Sequence, residues 1–253
     1  MGKEQKKNKV PKCIGVIMDG NRRWAKEEGI AIFKGYSAGY EKLKEFIKWA
    51  KEAGVRNLIF FAFSTENWNR SKKEVAYLMD LFEKALVGEL DEVKKENVRM
   101  KFIGQKERFS DKFQGMMKKT EEDTKNNPEG TIVLALSYCG RLDILSAVNY
   151  AINAGNKNIT EEEFSKMLWT KDIPDPDIII RTSGEKRLSG FLPWQGVYSE
   201  LFFIDTNWPA FSKEEFLNIL EEYSNRERRR GKEYLNYSLI RKNKRIVSLK
   251  LCL

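Results

Sequence analysis

Short apolar runs alternate with longer amphipathic stretches along almost the whole chain. The apolar runs are typical of buried β-strands, and the longer stretches carry apolar residues at helical spacing. This alternation favours a mostly parallel sheet that helices cover on both faces. We therefore predict a single α/β domain whose central, mostly parallel sheet has six strands flanked by helices. The predicted strands are Ile14–Met18, Asn57–Phe63, Arg99–Ile103, Thr131–Leu136, Asp177–Arg181 and Leu201–Ile204.

Local signals place several helices between these strands. One helix is predicted over 37–53, because Leu43, Phe46 and Ile47 fall on one side and Gly54 is suited to end it. A longer helix is predicted over 71–96, and capping boxes open this helix and two later ones. The three capping boxes are Ser71–Glu74, Thr160–Glu163 and Ser212–Glu215.

Polar side chains follow three of the predicted strands at the point where each strand ends. The segments concerned are Asp19–Trp24, Ser64–Arg70 and Arg181–Ser189. In open α/β sheets, ligands lie beyond the carboxyl ends of the strands. Arginine presents a fork of donors that matches phosphate oxygens, and Ser and Gly allow backbone N–H groups to come close. The pattern therefore predicts a site for a phosphorylated ligand at this edge of the sheet.

Each of these signals also has an ordinary structural explanation. Asp19 could cap a helix in a common Asp-Gly turn, and Arg22 and Arg23 could simply be solvated. Three strand ends with the same residue types favour the phosphate site. Glu200, which precedes the last strand, would be out of place among arginines unless a divalent metal lay between it and the phosphates.

The charge balance agrees with an anionic ligand. The chain has 46 basic and 37 acidic residues, which gives a net charge of +9. Such a charge suits a diphosphate, an anionic lipid surface or nucleic acid. The arginines stand at strand ends without any RNP, zinc-finger or helix-turn-helix pattern, so we predict no nucleic-acid partner.

Cysteine and histidine usage excludes several kinds of site. Histidine is absent, which removes Ser-His-Asp triads, Cys-His dyads and histidine-ligated metals. Cys13, Cys139 and Cys252 are odd in number, far apart and outside any CxxC pattern, which indicates a reducing cytosol and no zinc site. No apolar run is long enough to span a membrane or to form a signal peptide. A cytoplasmic protein is therefore predicted.

The two ends of the chain differ from the rest. Residues 1–11 are predicted to form a disordered, basic lead-in, and residues 12–231 the folded domain. Residues 232–253 form a basic tail with scattered Ile, Val and Leu. This tail is interpreted either as a contact with an anionic membrane surface or as a disordered segment.

Three long motifs, in order, carry a family resemblance: MDGNRRWA, FAFSTENWNR, and IRTSGEKRLSGFLPWQ followed by YSELFF. They resemble the cis-prenyltransferases, the family of undecaprenyl diphosphate synthase, over roughly Lys12 to Gly231. The resemblance implies condensation of isopentenyl diphosphate with an allylic diphosphate, such as farnesyl diphosphate, to a cis-polyprenyl diphosphate for a carrier lipid. The chain has no DDxxD-type aspartate cluster, which argues against the all-trans prenyl synthases.

The resemblance also implies a role for each matching residue. Asp19 corresponds to the catalytic carboxylate at a Mg²⁺ ion, and Glu200 to a further metal ligand. Asn67 is similar to the residue assigned to proton removal; since an amide is a poor base, we interpret it as positioning the proton acceptor. Trp24 and Trp68 are equally well explained as partly buried aromatic anchors. The implied substrate-binding residues are Gly20, Asn21, Arg22, Arg23, Trp24, Ser64, Thr65, Glu66, Trp68, Arg70, Arg181, Arg187, Leu188 and Ser189.

Further implications of the family concern the product and the assembly. The apolar stripe of the 71–96 helix either faces the core or partly lines an elongated tunnel for a growing hydrocarbon chain. Arg229 and Gly231 either reach a diphosphate across a homodimer interface or belong to a solvated helix face. The stripe consists of Val75, Leu78, Met79, Phe82, Leu86, Leu90 and Val93.

Two positions depart from the family pattern. Ile32 and Tyr36 stand where the family usually has an arginine and a histidine that help to hold the allylic diphosphate. Tyr36 can still donate one hydrogen bond, whereas Ile32 cannot. These departures leave a further hypothesis open, namely a family relative with an unusual acceptor or a single-step condensation. A non-catalytic subunit of a heteromeric enzyme is disfavoured because both metal carboxylates are retained.

Overall fold

The computed structural model describes residues 9–227, and residues 1–8 and 228–253 lie outside the described part. The tail, Arg229, Gly231 and most of the lead-in are therefore not placed. Six parallel strands form one sheet in the order β3-β4-β2-β1-β5-β6, which confirms the predicted fold class. The strands are β1 (Cys13–Ile17), β2 (Asn57–Ser64), β3 (Arg99–Ile103), β4 (Thr131–Tyr138), β5 (Ile178–Arg181) and β6 (Glu200–Phe203).

Helices connect the strands on both sides of the sheet. They are α1 (Asn21–Glu27), α2 (Ile32–Glu52), α3 (Lys72–Lys95), α4 (Asp111–Thr124), α5 (Gly140–Asn153), α6 (Glu161–Ser165) and α7 (Lys213–Asn225). The capping boxes at Thr160 and Ser212 form as predicted. Helix α2 begins at Ile32, earlier than the predicted start at Ser37. The sequence did not show this start because the N-cap, Ala31, has no capping side chain.

Strand β1 lies inside the sheet and is buried along its whole length. Its alternating side chains divide between two apolar clusters. Ile14 and Val16 pack on the face that Phe46 of α2 and Phe216 of α7 cover, whereas Cys13 belongs to the cluster on the other face. Both faces of the sheet are therefore covered, as a parallel sheet requires.

The covering of the second face is thinner and leaves apolar side chains in solvent. The buried residues of helix α5 are Gly140, Asp143, Ala147 and Ala151, none of them a large apolar residue, while Ile152 remains 66% exposed. Val197 and Tyr198, just before the edge strand β6, are also largely exposed. Exposed apolar residues that gather on one face are typical of a contact surface.

No helix among residues 9–227 combines the length and the hydropathy that crossing a bilayer requires.

Candidate active site

A large cavity opens at the carboxyl edge of the sheet, with a volume of about 1350 Å³. The strands are parallel, so the segments that follow β1, β2 and β5 meet at this edge. Eleven of the sequence-predicted site residues line the cavity: Asp19, Gly20, Asn21, Arg22, Arg23, Ser64, Glu66, Asn67, Arg70, Arg181 and Ser189. The predicted residues that do not line it are Trp24, Thr65, Trp68, Arg187, Leu188 and Glu200.

Asp19 stands in the turn between β1 and α1, and its carboxylate is held from three sides. Arg181 Nη2 donates to Oδ2 over 2.9 Å, and Arg23 Nη2 lies 3.1 Å from the same oxygen. The backbone N–H of Gly20 donates to Oδ1. Gly20 is required here because its φ is +102° and a Cβ would lie 2.8 Å from the Ser183 hydroxyl.

Arg181 ends β5 and is buried, although its guanidinium borders the cavity. Besides Asp19, it donates from Nη1 to the Ser189 hydroxyl (2.8 Å) and to the carbonyl of Arg187 (2.5 Å). Ser189 has a φ of +49°, a sparsely populated conformation that often marks functional sites. The segment from Arg187 to Ser189 therefore folds back over the Arg181 side chain and fixes its direction.

Two arginine side chains pair with the carboxylate of Glu185. Arg23 donates to the carbonyl of Ser183 over 2.6 Å and lies 3.5 Å from the Glu185 carboxylate. Arg187 is bound to the same carboxylate, and its side chain is largely exposed. Arg187 does not line the cavity, and its guanidinium is paired with Glu185.

Tyr36 occupies the centre of a buried network between α2 and α3. Its hydroxyl donates to Glu74, and Arg70 donates to the same hydroxyl over 3.1 Å. Glu74 also lies 3.5 Å from Arg70 and 3.7 Å from Arg22. Burial, together with the hydrogen bond to Glu74, raises the pKa of the Tyr36 phenol well above its ordinary range. Tyr36 is therefore a neutral hydrogen-bonding group that holds Arg70 at the cavity wall.

Asn67 lies in the short 3₁₀ turn Thr65–Asn69 that follows β2. Its Oδ1 accepts a hydrogen bond from the backbone N–H of Ser64 over 3.0 Å, which fixes the orientation of the amide. The Nδ2 group is the part left to face the cavity as a donor. This geometry suits positioning a diphosphate oxygen or a water, and it does not suit a proton acceptor.

Trp68 and Ile32 have contrasting environments. Trp68 donates to the Ser137 hydroxyl over 2.9 Å and packs against Phe63 and Phe109, so the structure supports its role as an aromatic anchor. Ile32 is 41% exposed at the start of α2 and borders the cavity. Its apolar side chain at this rim offers no hydrogen bond to a ligand.

Glu200 does not join the other predicted site residues within one chain, which corrects the expectation of a single converging cluster. It begins β6 and pairs in register with Ile178, the first residue of β5, whereas Asp19 follows the end of β1. In parallel strands these are opposite ends, so Glu200 and Asp19 are offset by about 16 Å along the strand direction alone, at ~3.3 Å per residue. Glu200 instead accepts a 2.6 Å hydrogen bond from Arg226.

Sequence reasoning missed some residues that line the cavity. Arg141, near the start of α5, and Lys26 of α1 line the cavity, and they have no ionic partner within residues 9–227. Cys139 also lines it. Arg141 carries the same signal as the other sites, a basic residue just after a strand, but Ser137-Tyr138-Cys139-Gly140 separate it from the apolar run.

The cavity continues away from the charged edge into an apolar space between α2, α3 and the sheet. This part is lined by Leu43, Leu78, Leu81, Phe82, Ala85 and Leu134. Leu78 and Phe82 belong to the predicted stripe of α3, so part of that stripe faces the cavity, while Leu86 is buried in the core. One cavity thus joins a cationic end to an apolar end.

Metal-binding capacity at the charged edge is limited. Among residues 9–227, no three acidic or cysteine side chains cluster in a way that could hold a metal ion. Asp19 is a cavity-lining carboxylate with partly exposed oxygens. A single carboxylate of this kind fits Mg²⁺ only if ligand phosphates and water supply the other oxygens.

Comparison with known proteins identifies the family. Residues 17–231 match the family described as "Putative undecaprenyl diphosphate synthase". The chain is 45% identical over 227 residues to an isoprenyl transferase of Thermotoga maritima, covering 88% of this chain and 97% of that protein. It is 46% identical over 222 residues to one of Fusobacterium nucleatum, covering 88% and 96%.

Two solved structures also resemble this chain. A lavandulyl diphosphate synthase from Lavandula x intermedia, in complex with dimethylallyl diphosphate, superposes with a TM-score of 0.82 at 32% identity, covering 87% of this chain and 97% of the other. A probable undecaprenyl diphosphate synthase from Campylobacter jejuni gives 0.75 at 35% identity, covering 88% and 100%. The predicted resemblance is confirmed: the chain belongs to the isoprenyl transferases, the cis-prenyltransferase family of undecaprenyl diphosphate synthase.

Proposed function

We propose that the protein condenses isopentenyl diphosphate with an allylic diphosphate, such as farnesyl diphosphate, and makes a cis-polyprenyl diphosphate. The observation that carries the proposal is the single cavity with a charged end and an apolar end. Arginines around Asp19 suit two diphosphates, and the space beside Leu78 and Phe82 suits hydrocarbon. A precursor of a carrier lipid is the product class that this combination supports.

The reaction needs charge stabilisation and orientation from the protein. The allylic C–O bond breaks, and its electron pair leaves with the diphosphate. The double bond of isopentenyl diphosphate bonds to the freed allylic carbon, and loss of one proton forms the new cis double bond. Arg22, Arg23 and Arg70 stabilise the departing diphosphate, and Arg181 with Ser189 holds isopentenyl diphosphate. Asn67 orients the oxygen that accepts the proton.

Magnesium is part of the proposal, and Asp19 is the residue of this cavity that would hold it. Bound there, the ion would neutralise diphosphate charge as the C–O bond breaks. Glu200 can contribute as a ligand only if a second copy of the chain brings it to the cavity, because it lies at the opposite edge of its own sheet.

We further propose a homodimer formed through the thinly covered face of the sheet. Val197 and Tyr198 are 68% and 64% exposed beside the edge strand β6, and Leu201 of that strand is partly exposed. Glu200 is adjacent to this surface. A second copy would cover these apolar side chains and could place its Glu200 near a neighbouring site. The membrane contact of the basic tail is proposed on charge alone.

A second candidate is a condensation that uses a short allylic diphosphate in a reshaped donor pocket. Ile32 favours it, because an apolar side chain stands where the family usually has arginine. The similar lavandulyl diphosphate synthase was solved with dimethylallyl diphosphate, which supports a short donor. A non-catalytic subunit is disfavoured, since Asp19, Asn67 and Arg181 all face one cavity.

Product analysis separates these candidates. The purified chain is incubated with Mg²⁺ and labelled isopentenyl diphosphate together with dimethylallyl, geranyl or farnesyl diphosphate, and each allylic substrate is also tested alone. We expect chain growth only when isopentenyl diphosphate is present, with repeated additions. Product from dimethylallyl diphosphate alone, or a single addition, would support the second candidate. No product from any combination would support a non-catalytic subunit.

A further inference from the structure

Arg181 has few donors left for a ligand. Its guanidinium carries five N–H groups. Three hydrogen bonds already use them, to Asp19, to the Ser189 hydroxyl and to the carbonyl of Arg187. Its Nε atom is buried and has no hydrogen-bond partner among the described residues. At most one N–H of Nη2 therefore remains for the cavity, whereas each phosphate of a diphosphate offers several acceptor oxygens.

The cations that surround the cavity differ in whether they are already paired. Arg22 and Arg70 share the carboxylate of Glu74, at 3.7 and 3.5 Å, and Arg23 pairs with two carboxylates. Arg141 is exposed, borders the cavity and has no ionic partner among the side chains that the structure describes. Its charge is therefore available to an anion that enters the cavity.

Arg141 stands on the side of the cavity where Ser189 lies. It is the second residue of α5, and the first residue, Gly140, donates its N–H to the carbonyl of Gly190 over 2.8 Å. The packing here is close, since a Cβ on Gly140 would lie 2.0 Å from Cδ of Pro193. The start of α5 is thus held against the segment that follows Ser189, and both Arg141 and Ser189 line the cavity.

We propose that Arg141 is a further substrate-binding residue, which holds the second phosphate of isopentenyl diphosphate while Arg181 and Ser189 hold the first. The inference rests on the proposed function, and it adds the residue that lets this site bind a diphosphate more tightly than a monophosphate. Two other cations are less suited to the role. Arg187 is already paired with a carboxylate and does not line the cavity, and Lys26 lies on α1, among the residues proposed for the allylic diphosphate.

The test compares steady-state KM values of wild type, Arg141→Ala and Arg141→Lys in the presence of Mg²⁺. Arg141→Ala should raise the KM for isopentenyl diphosphate roughly 10- to 100-fold, because a charge-assisted contact is lost. The KM for farnesyl diphosphate should change little. Lysine keeps the charge but not the fork of donors, so Arg141→Lys should have a smaller effect than Arg141→Ala. Isopentenyl monophosphate, used as a competitive inhibitor, should give similar inhibition constants with all three proteins.

The matched control is Lys157→Ala. Lys157 follows the other end of α5, is exposed and does not line the cavity, so its loss removes the same charge from the chain without changing the site. Its KM for isopentenyl diphosphate is expected to equal that of wild type. A wild-type KM in Arg141→Ala would overturn the inference while leaving the proposed function intact, and a raised KM in Arg187→Ala alone would assign the role to Arg187 instead.

Equilibrium binding separates this inference from the proposed function. Calorimetric titration with isopentenyl diphosphate and Mg²⁺, without an allylic substrate, requires no turnover. We expect Arg141→Ala to bind isopentenyl diphosphate roughly 10- to 100-fold more weakly than wild type. If wild type makes no prenyl product, the proposed function fails, and the titration still decides the role of Arg141. Equal affinities of wild type and Arg141→Ala, or no binding by wild type, would overturn the inference.

Discussion

Asp19 Oδ2 and Arg181 Nη2 lie 2.9 Å apart, although 162 positions separate the two residues in the chain. The pair forms because β1 and β5 are neighbours and end together, with Ile17 in register with Arg181. Arg181 is buried and its other hydrogen bonds go to Ser189 and to the carbonyl of Arg187. The carboxylate and the guanidinium are therefore already oriented towards the cavity before a ligand binds, which reduces the cost of ordering them.

Replacing Arg181 by lysine should weaken isopentenyl diphosphate binding. Lysine cannot reproduce the forked contacts to Asp19 and Ser189 while also facing a phosphate. We expect Arg181→Lys to raise the KM for isopentenyl diphosphate roughly 10- to 100-fold, as for loss of a charge-assisted hydrogen bond. Arg56→Lys, on the opposite edge of the sheet before β2, is the matched control. Equal KM values for both variants would contradict this role.

Tyr36→Phe tests the network that positions Arg70. The variant keeps the ring but loses the bonds to Glu74 and Arg70. Loss of about 1 kcal/mol should raise the KM for the allylic diphosphate about 5-fold, with little change for isopentenyl diphosphate. An unchanged allylic KM would show that Tyr36 only packs.

The raised pKa of the Tyr36 phenol means that Tyr36 should not titrate near neutral pH. A group whose folded pKa lies above its unfolded value stabilises the fold fully below the unfolded value of about 10, and this stability is lost as the pH rises towards the folded value. The network should therefore stay intact, and the allylic KM of the wild type should show no inflection from this residue, between about pH 6 and pH 9. If the wild type shows an inflection within that range and Tyr36→Phe lacks it, the assignment of Tyr36 as a neutral group is contradicted.

Ile32→Arg restores the residue type that the family usually has. If the site otherwise keeps the family geometry, the new charge-assisted contact should lower the allylic KM roughly 10- to 100-fold. Phe33→Arg adds the same charge at the next position, which does not line the cavity, and should have little effect. Weaker allylic binding in Ile32→Arg would instead make Ile32 part of an apolar donor wall and favour the second candidate.

The proposed homodimer can be tested at its edge strand. Leu201→Asp places a charge on β6, so it should convert a dimer to monomers in light-scattering chromatography and lower the activity of the purified chain. Leu217→Asp changes a similarly exposed leucine of α7 and should leave the mass unchanged. A wild-type chain that is monomeric at assay concentration would refute the dimer.

Much of the site could be predicted because its signal is local. Apolar runs that stop at Asp19, Ser64 and Arg181 identify strand ends, and parallel strands bring their ends to one edge without further information. This logic does not place Glu200 at the same end of the sheet. It precedes its strand, and the carboxyl and amino ends of a parallel strand lie on opposite edges of the sheet.

Local sequence patterns did not predict the side-chain contacts between helices. Glu74 was predicted from its spacing to cap α3, and its N–H does bond to the Ser71 hydroxyl over 3.3 Å. Its side chain, however, turns to Tyr36, 38 positions away. The hydrogen bond from Tyr40 to Glu89 is likewise decided by how α2 and α3 pack, and helical spacing alone does not report that packing.

The most direct test of the central claim measures incorporation of labelled isopentenyl diphosphate into butanol-extractable lipid by wild type and Asp19→Ala. Both proteins are assayed with farnesyl diphosphate and Mg²⁺ after circular dichroism has verified their folding. We predict elongation by the wild type and a loss of at least about 10³-fold in Asp19→Ala, the scale expected when a main charge-stabilising group is removed. Near-wild-type incorporation by folded Asp19→Ala would contradict the account.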